Sequence, residues 1–335
     1  MLITPHPQPP TEPPARIPEF DLLKAFPDLA ALRDSAEQRR WEETAAFFAA
    51  LTDPADRSTA MAVLPRTPET GAFLQQVAAD RPGETLPLVL QAHRYVRLAW
   101  EARGNGRAKY VSAEQAVVFR RRLTVADKLI SEVLTRVPDN TDARRLSLIT
   151  SRGLGLGLTR TRARYDCLAE QDPHDYEAQS QLLQQLLPKW GGSWNAAFAF
   201  ARQCRAAAPA GALDPALLAQ AHIERWLNVG GKKDPAHLHR PETVDELVDA
   251  ARASVLHPDF RGGYRFLEAH GLFAATFGLA GRHDLAAPHF HALNGYADEA
   301  PWDYLRSLTS IRRSTAYRRL RRHALRAERG ASPTA

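Results

Sequence analysis

The sequence predicts an all-α protein built from stacked antiparallel helix hairpins, and two observations lead to this fold class. Apolar residues recur with the 3.6-residue period of a helix along most of the chain after Pro27, and no alternating strand pattern of useful length is present. Helix signals also bracket these segments. Thr67-Pro68 and Ser112 with Gln115 are typical helix starts, and Gly104 is a typical helix end.

A recurring apolar triplet followed by a proline predicts an internal repeat. The copies are Ala126, Ile130 and Val133 before Pro138; Thr161, Tyr165 and Leu168 before Pro173; Ala197, Ala201 and Cys204 before Pro209; and Ala286, Phe290 and Leu293, with the proline displaced to Pro301. The first three prolines are 35 and 36 residues apart. This pattern resembles the second half of the tetratricopeptide repeat, whose units have about 34 residues.

The resemblance covers residues 120–300 and does not include the family's first-helix signature of Trp, Leu-Gly and Tyr. It implies a tetratricopeptide-like α-solenoid or a compact helical-repeat domain. A single hairpin cannot bury its own apolar face, so neighbouring hairpins must stack.

Composition divides the chain into three parts. Residues 1–19 contain seven prolines and few large apolar groups, which predicts a disordered arm. Residues 20–311 form the predicted helical-repeat domain, and residues 312–335 form a basic tail. The stretch 306–335 has nine Arg and one Glu, a charge of +8 within a chain total of +6, so residues 1–305 carry −2. We expect a docked helix to about Ile311 and an increasingly solvated chain beyond it.

The turn Lys189-Trp190-Gly191-Gly192-Ser193-Trp194 is the first candidate site. Pro188 ends the preceding helix, the two glycines allow a tight reversal, and Ser193 is well placed to cap the next helix. Two interpretations are open. The indoles pack against a neighbouring repeat and the turn is structural, or the glycine amides, the helix N-terminus and Lys189 bind an anion. The stretch from Pro188 to Ser193 also resembles one in an uncharacterised bacterial family of unknown function, which implies no activity.

Two polar helix faces complete the candidate binding residues: His222 and Arg225 on one, and Tyr264 and His270 on the other. Each lies beside a glutamate, so acid–base chemistry is one interpretation and an ordinary polar face is the other. No nucleophile motif accompanies them, and we assign no catalytic residue.

Other motifs give no cofactor and no metal site. Gly153-Leu154-Gly155-Leu156-Gly157 lacks the spacing of a nucleotide-binding loop. The pairs His237/His239 and His289/His291 lack further ligands at suitable spacing, and Cys167 and Cys204 stand alone. The first residues lack a basic region followed by an apolar core, and no apolar run is long enough for a membrane span, so we expect no signal peptide and a cytoplasmic protein. The excess of Arg over Lys suggests a bacterial origin.

These features favour a non-enzymatic module that binds a peptide or partner protein on a concave face. A nucleic-acid-associated protein that uses the Arg-rich tail is the alternative, and an enzyme with an unrecognised helical active site is the third possibility.

Overall fold

The computed structural model describes residues 9–13, 17–104, 110–228, 236–303, 305 and 312–331, with the side chains of 330 and 331 excepted. This part of the chain contains seventeen α-helices and no β-strand, apart from one isolated bridge between Glu19 and Tyr296. The predicted all-α fold of packed helices is therefore confirmed. None of the helices in the described ranges has the length and apolar character that crossing a membrane requires.

The helices fall into two compact units. The N-terminal unit comprises residues 27–193. Its helices are α2 (Pro27–Glu37), α3 (Trp41–Ala50), α4 (Pro54–Val63), α5 (Pro68–Asp80), α6 (Leu86–Arg103), α7 (Ala113–Arg136), α8 (Thr141–Leu154), α9 (Leu158–Ala169) and α10 (Tyr176–Leu186). A short 3₁₀ helix (Pro188–Trp190) follows α10.

The C-terminal unit combines residues 194–331 with the segment that precedes Pro27. Its helices are α1 (Leu22–Ala25), α11 (Trp194–Ala207), α12 (Ala216–Asn228), α13 (Ala236–His239), α14 (Pro241–Ala253), α15 (Phe266–Leu279), α16 (His283–Leu293) and α17 (Arg313–Ala331). The amide of Glu19 donates to the carbonyl of Gly295, and the Phe26 ring packs edge-on against Tyr264. These contacts fix the segment before Pro27 within this unit.

The predicted helix ends have the expected chemistry. Ser112 and Gln115 form a reciprocal capping box at the start of α7, with the Gln115 amide 3.2 Å from Ser112 Oγ. Thr67 accepts from the Thr70 amide and Pro68 is the first residue of α5. Gly104 ends α6 with a φ of 71°, a region that favours glycine.

The repeated triplets all lie on buried helix faces. They belong to α7, α9, α11 and α16, and every one of their residues is buried. In the N-terminal unit, α8 packs against both α7 and α9, and α9 packs against α10. In the C-terminal unit, α11 packs against α12, and α16 against α15. The recurring pattern thus identifies the faces that consecutive helices bury, while the tetratricopeptide assignment stays a prediction.

The turns after α7 and α9 share a further feature. In each, a proline is followed two residues later by a capping residue, Asn140 or Asp175, whose side chain accepts from a backbone amide in the first turn of the next helix. Asp175 also accepts from Arg145 Nε at 2.8 Å. Arg145 Nη1 in turn donates to Asp142 at 2.8 Å, and Asp142 binds Arg57 of α4. A buried ionic network therefore joins α4, α8 and the start of α10.

The basic C-terminal segment differs from the expectation of a solvated chain. Residues 313–331 form α17, which packs against α15 and α16. Tyr317 is fully buried and meets the rings of Trp302 and Phe290 at 4.9 and 5.3 Å. The same helix also has an apolar face. Tyr317, Leu320 and Ala324 recur at helical spacing, so their side chains share the face that packs against the rest of the C-terminal unit. The docked helix expected up to Ile311 falls partly outside the described residues, since 304 and 306–311 are not described.

Candidate functional site

The C-terminal unit contains a pocket of about 510 Å³ between α11, α12, α13 and α14. Its lining is mainly polar and charged. The residues are Asn195, Phe198, Arg202, His222, Arg225, His237, Arg240, Glu242, Thr243 and Glu246. We call this cavity the arginine pocket. Its volume is within the usual range for ligand sites in proteins.

Helical periodicity places the lining residues of each helix on the same side of that helix, so each helix forms one wall of the pocket. Phe198 and Arg202 are four residues apart on α11, and His222 and Arg225 are three apart on α12, so each pair shares a helix face. Glu246 lies in the second turn of α14, which opens with Pro241. The apolar floor is Phe198, whose buried ring lies 4.8 Å from the ring of His222.

A chain of three hydrogen-bonded side chains crosses the pocket wall. His222 Nε2 lies 3.0 Å from Glu246 Oε2, and His222 Nδ1 lies 2.9 Å from His237 Nε2. An ionised carboxylate only accepts, so His222 carries its proton on Nε2 and its Nδ1 accepts from the N–H of His237. Both histidines are buried, and their rings stack. This order fixes one tautomer for each ring.

The electrostatic environment of the pocket wall keeps Glu246 ionised and the neighbouring His222 neutral. Burial raises the pKa of Glu246, but hydrogen bonds from His222 and Arg202 outweigh it and lower the pKa to about 2. Burial lowers the pKa of His222, against the opposing effect of Glu246. At neutral pH the carboxylate is charged and His222 is uncharged. Arg202 Nε donates to Glu246 at 2.6 Å, so these two charges compensate each other.

The two other arginines of the pocket form no ion pair with a carboxylate in the described ranges. The Arg225 guanidinium lies 5.9 Å from the centre of the Phe198 ring, a cation–π contact. Arg240 is exposed and directly precedes α14. The three arginines and two glutamates of the lining leave an excess of one positive charge, so the pocket favours an anionic ligand.

Of the four residues predicted on the two polar helix faces, two line this pocket and two do not. His222 and Arg225 line it together, as their helical spacing suggested. Tyr264 is buried under Phe26. His270 is buried beside His289, with 3.2 Å between their Nδ1 atoms and phenylalanine rings around them. Tyr264 and His270 are therefore core residues.

The predicted turn around Trp190 has a structural explanation for both of its glycines. The amides of Gly191 and Gly192 donate to the carbonyls of Pro188 and Leu187, so neither N–H points towards a ligand. Gly191 has a φ of 90°, and a Cβ on Gly192 would lie 2.0 Å from the Leu186 carbonyl oxygen. Lys189 and Ser193 are exposed, and Trp194 is the first residue of α11.

Trp190 belongs to an aromatic cluster within the N-terminal unit. It is half-buried, and its ring meets Trp100 nearly at a right angle with the centroids 6.2 Å apart. The Arg152 guanidinium lies 5.6 Å from the Trp100 ring and 5.7 Å from the Trp190 ring. The two indole rings thus make cation–π contacts with the Arg152 guanidinium, which favours the structural interpretation of the turn.

Replacing Gly192 with alanine is expected to lower the free energy of unfolding by about 3 kcal/mol, since the new methyl group meets rigid backbone and overpacking costs about 1–3 kcal/mol or more. Thermal unfolding followed by circular dichroism measures the effect. Gly83→Ala is the matched control, because a Cβ there meets no atom within 4 Å. Equal melting temperatures for the two variants would contradict the close approach at Gly192.

Sequence reasoning missed Phe198, Arg202 and Glu246 as site residues, and it treated His237 only as a rejected metal ligand. Phe198 and Arg202 carry a weak signal, since they are four apart on a helix that also has a buried face. Nothing in the sequence links Glu246 to His222, which is 24 residues away. In the described ranges, no three His, Cys, Asp or Glu side chains converge in a way that could hold a metal ion.

Comparison of the chain with protein-family models, with curated proteins and with solved structures finds no significant match in any of the three.

Proposed function

We propose that this chain is a non-enzymatic interaction module and that its C-terminal unit binds an acidic peptide segment of a partner protein in the arginine pocket. The observation that carries this proposal is the pair Arg225 and Arg240, which line one pocket with an aromatic floor and without described carboxylate partners. Guanidinium groups present several N–H donors in a plane and bind carboxylates in bidentate fashion.

The remaining lining suits a peptide. The exposed Asn195 carboxamide can donate and accept at once, as the peptide bond does. Phe198 is 5% exposed and offers a small apolar surface beside the arginines, which favours a ligand that carries apolar as well as acidic side chains. A pocket of this size accommodates a few side chains and the backbone between them.

The acid–base groups of the pocket support binding over catalysis. Both ring nitrogens of His222 are engaged by Glu246 and His237, and the ring is buried. Glu246 has a pKa of about 2, far from the value near the working pH that suits a general acid or base. The proposed role of this chain of hydrogen bonds is to hold Glu246 and Arg202 in place in the wall of the pocket.

Arg225→Glu is expected to weaken binding of an acidic peptide by about 10–100-fold, the effect of losing a hydrogen bond between charged groups. Fluorescence anisotropy with the full chain measures this, using a labelled Glu-rich peptide that contains one Phe. The same peptide with Gln in place of Glu tests the charge requirement.

Arg252→Glu is the matched control, because Arg252 is exposed on α14, lies outside the pocket and undergoes the same change of charge. It should bind the acidic peptide as the unmodified chain does. Equal losses for the two variants would show that only net charge matters, and binding of the Gln peptide with equal affinity would contradict acidic recognition.

A further inference from the structure

One face of α17 concentrates positive charge in a way that the pocket does not explain. Five of its arginines are exposed: Arg318, Arg319, Arg322, Arg326 and Arg329. At 100° per residue they fall within an arc of about 100°, opposite the face that buries Tyr317 and Ala324. We call these five residues the arginine face.

Acidic groups do not neutralise the arginine face. None of the five arginines forms an ion pair with a described carboxylate, and the one acidic residue of the helix, Glu328, pairs with His291 at 2.7 Å. From Arg318 to Arg329 the face extends about 17 Å along the helix axis. Over that length a nucleic-acid duplex presents about ten phosphate charges.

We propose that the arginine face binds the phosphate backbone of a nucleic-acid duplex, independently of the arginine pocket. Arg forks match phosphate oxygens, and a docked, regular helix holds the five forks on one side at no further ordering cost of the backbone. The binding is electrostatic and independent of base sequence, because phosphate contacts position a protein without reading bases.

The structure favours a duplex over other anionic partners. An amphipathic helix binds a membrane by inserting its apolar face, but that face of α17 is packed against α15 and α16. Single strands are held by stacking of bases on aromatic side chains, and the arginine face has none. It also lacks the apolar centre that protein interfaces usually contain.

The docking of α17 makes the proposal testable in the full chain. Fluorescence anisotropy with a labelled mixed-sequence DNA duplex of about 20 base pairs should show binding that weakens by roughly 100-fold or more between about 50 and 200 mM salt, as expected for about four or five phosphate contacts. Arg319→Gln, Arg322→Gln and Arg326→Gln combined should reduce the slope of log affinity against log salt by about 2.7, since each contact contributes about 0.9.

The matched control combines Arg120→Gln, Arg121→Gln and Arg160→Gln. These are exposed arginines of the N-terminal unit, so the control has the same net charge as the triple variant of α17. It should retain the slope of the unmodified chain. Circular dichroism verifies that both triple variants are folded, and if the α17 variant is not, Arg318→Gln and Arg329→Gln are measured singly, each with an expected reduction of about 0.9.

Three results would overturn the proposal: no duplex binding at about 50 mM salt, an equal loss in the control variant, or binding of anionic phospholipid vesicles without binding of the duplex. The pocket variant Arg225→Glu should bind the duplex normally. Failure of peptide binding and failure of duplex binding are thus observed separately.

Discussion

Arg145→Met is expected to lower the free energy of unfolding of the N-terminal unit by about 3–5 kcal/mol, because it leaves two buried carboxylates without the guanidinium between them. Asp142 and Asp175 are both buried, and Arg145 donates to each at 2.8 Å. Methionine has a similar length, so it fills most of the space, and the loss reflects charge more than a cavity. Denaturant unfolding followed by tryptophan fluorescence measures this change.

Two further measurements separate the charge effect from packing. Burial raises the pKa of Asp142, but Arg57 and Arg145 outweigh it and lower the pKa. Without Arg145 the pKa of Asp142 is lowered less, so its protonation relieves part of the uncompensated charge, and the deficit of the variant should shrink as the pH falls towards about 4. Asp175→Asn added to Arg145→Met should recover part of the stability, since asparagine also caps a helix.

The matched control is Arg162→Met, which breaks an exposed ion pair with Asp166 on α9. Exposed pairs of this spacing contribute about 0.3–0.5 kcal/mol, so the control should change stability very little. Two outcomes would refute the charge argument. One is an equal loss in both variants, and the other is a deficit of Arg145→Met that does not depend on pH.

The sequence predicted which helix faces are buried, and the reason is local. Ala126, Ile130 and Val133 share a face whatever packs on them, because the 3.6-residue period alone decides it. The caps at Ser112 and Thr67 were predictable for the same reason, since each acts within one helical turn.

Partners across helices were not predictable. His222 and Arg202 both form hydrogen bonds with Glu246, although Arg202 is 44 residues away in the sequence. These contacts form only because α11, α12 and α14 pack together. Periodicity assigns a residue to a face but does not say which residue lies opposite. The docking of α17 was missed for a different reason. Its arginines dominate the composition, while a few well-spaced residues such as Tyr317 determine whether the helix packs.

The buried pair His270 and His289 should make the C-terminal unit sensitive to mild acid. Their Nδ1 atoms are 3.2 Å apart, so one ring donates and the other accepts, which requires the accepting ring to be neutral. Burial lowers the pKa of His270 from 6.5 to about 4. Burial, together with the neighbouring His270, lowers the pKa of His289 well below 6.5.

The sign of the effect follows from proton binding. Below about pH 6.5 the unfolded chain binds protons that the folded unit excludes, so stability falls as the pH decreases from 6.5 towards 4. A histidine whose pKa is 6.5 in the unfolded chain and about 4 in the folded unit changes the free energy of unfolding by about 1.4 kcal/mol per pH unit. Over this range the change is roughly 3 kcal/mol. Asp298 acts in the opposite direction, because burial and the charge of Glu268 raise its pKa to about 6.

A double variant isolates the contribution of the histidine pair. His270→Phe with His289→Phe removes both titrating rings, and Phe273 and Phe277 already stack on the position of His289. Replacing both hydrogen-bond partners by apolar groups can be nearly neutral at pH 7. The unmodified chain should therefore lose about 3 kcal/mol or more relative to the double variant between pH 7 and 4. His291→Gln, at an exposed histidine on α16, should follow the unmodified chain. Parallel stability curves for all three proteins would show that the buried pair does not control the acid response.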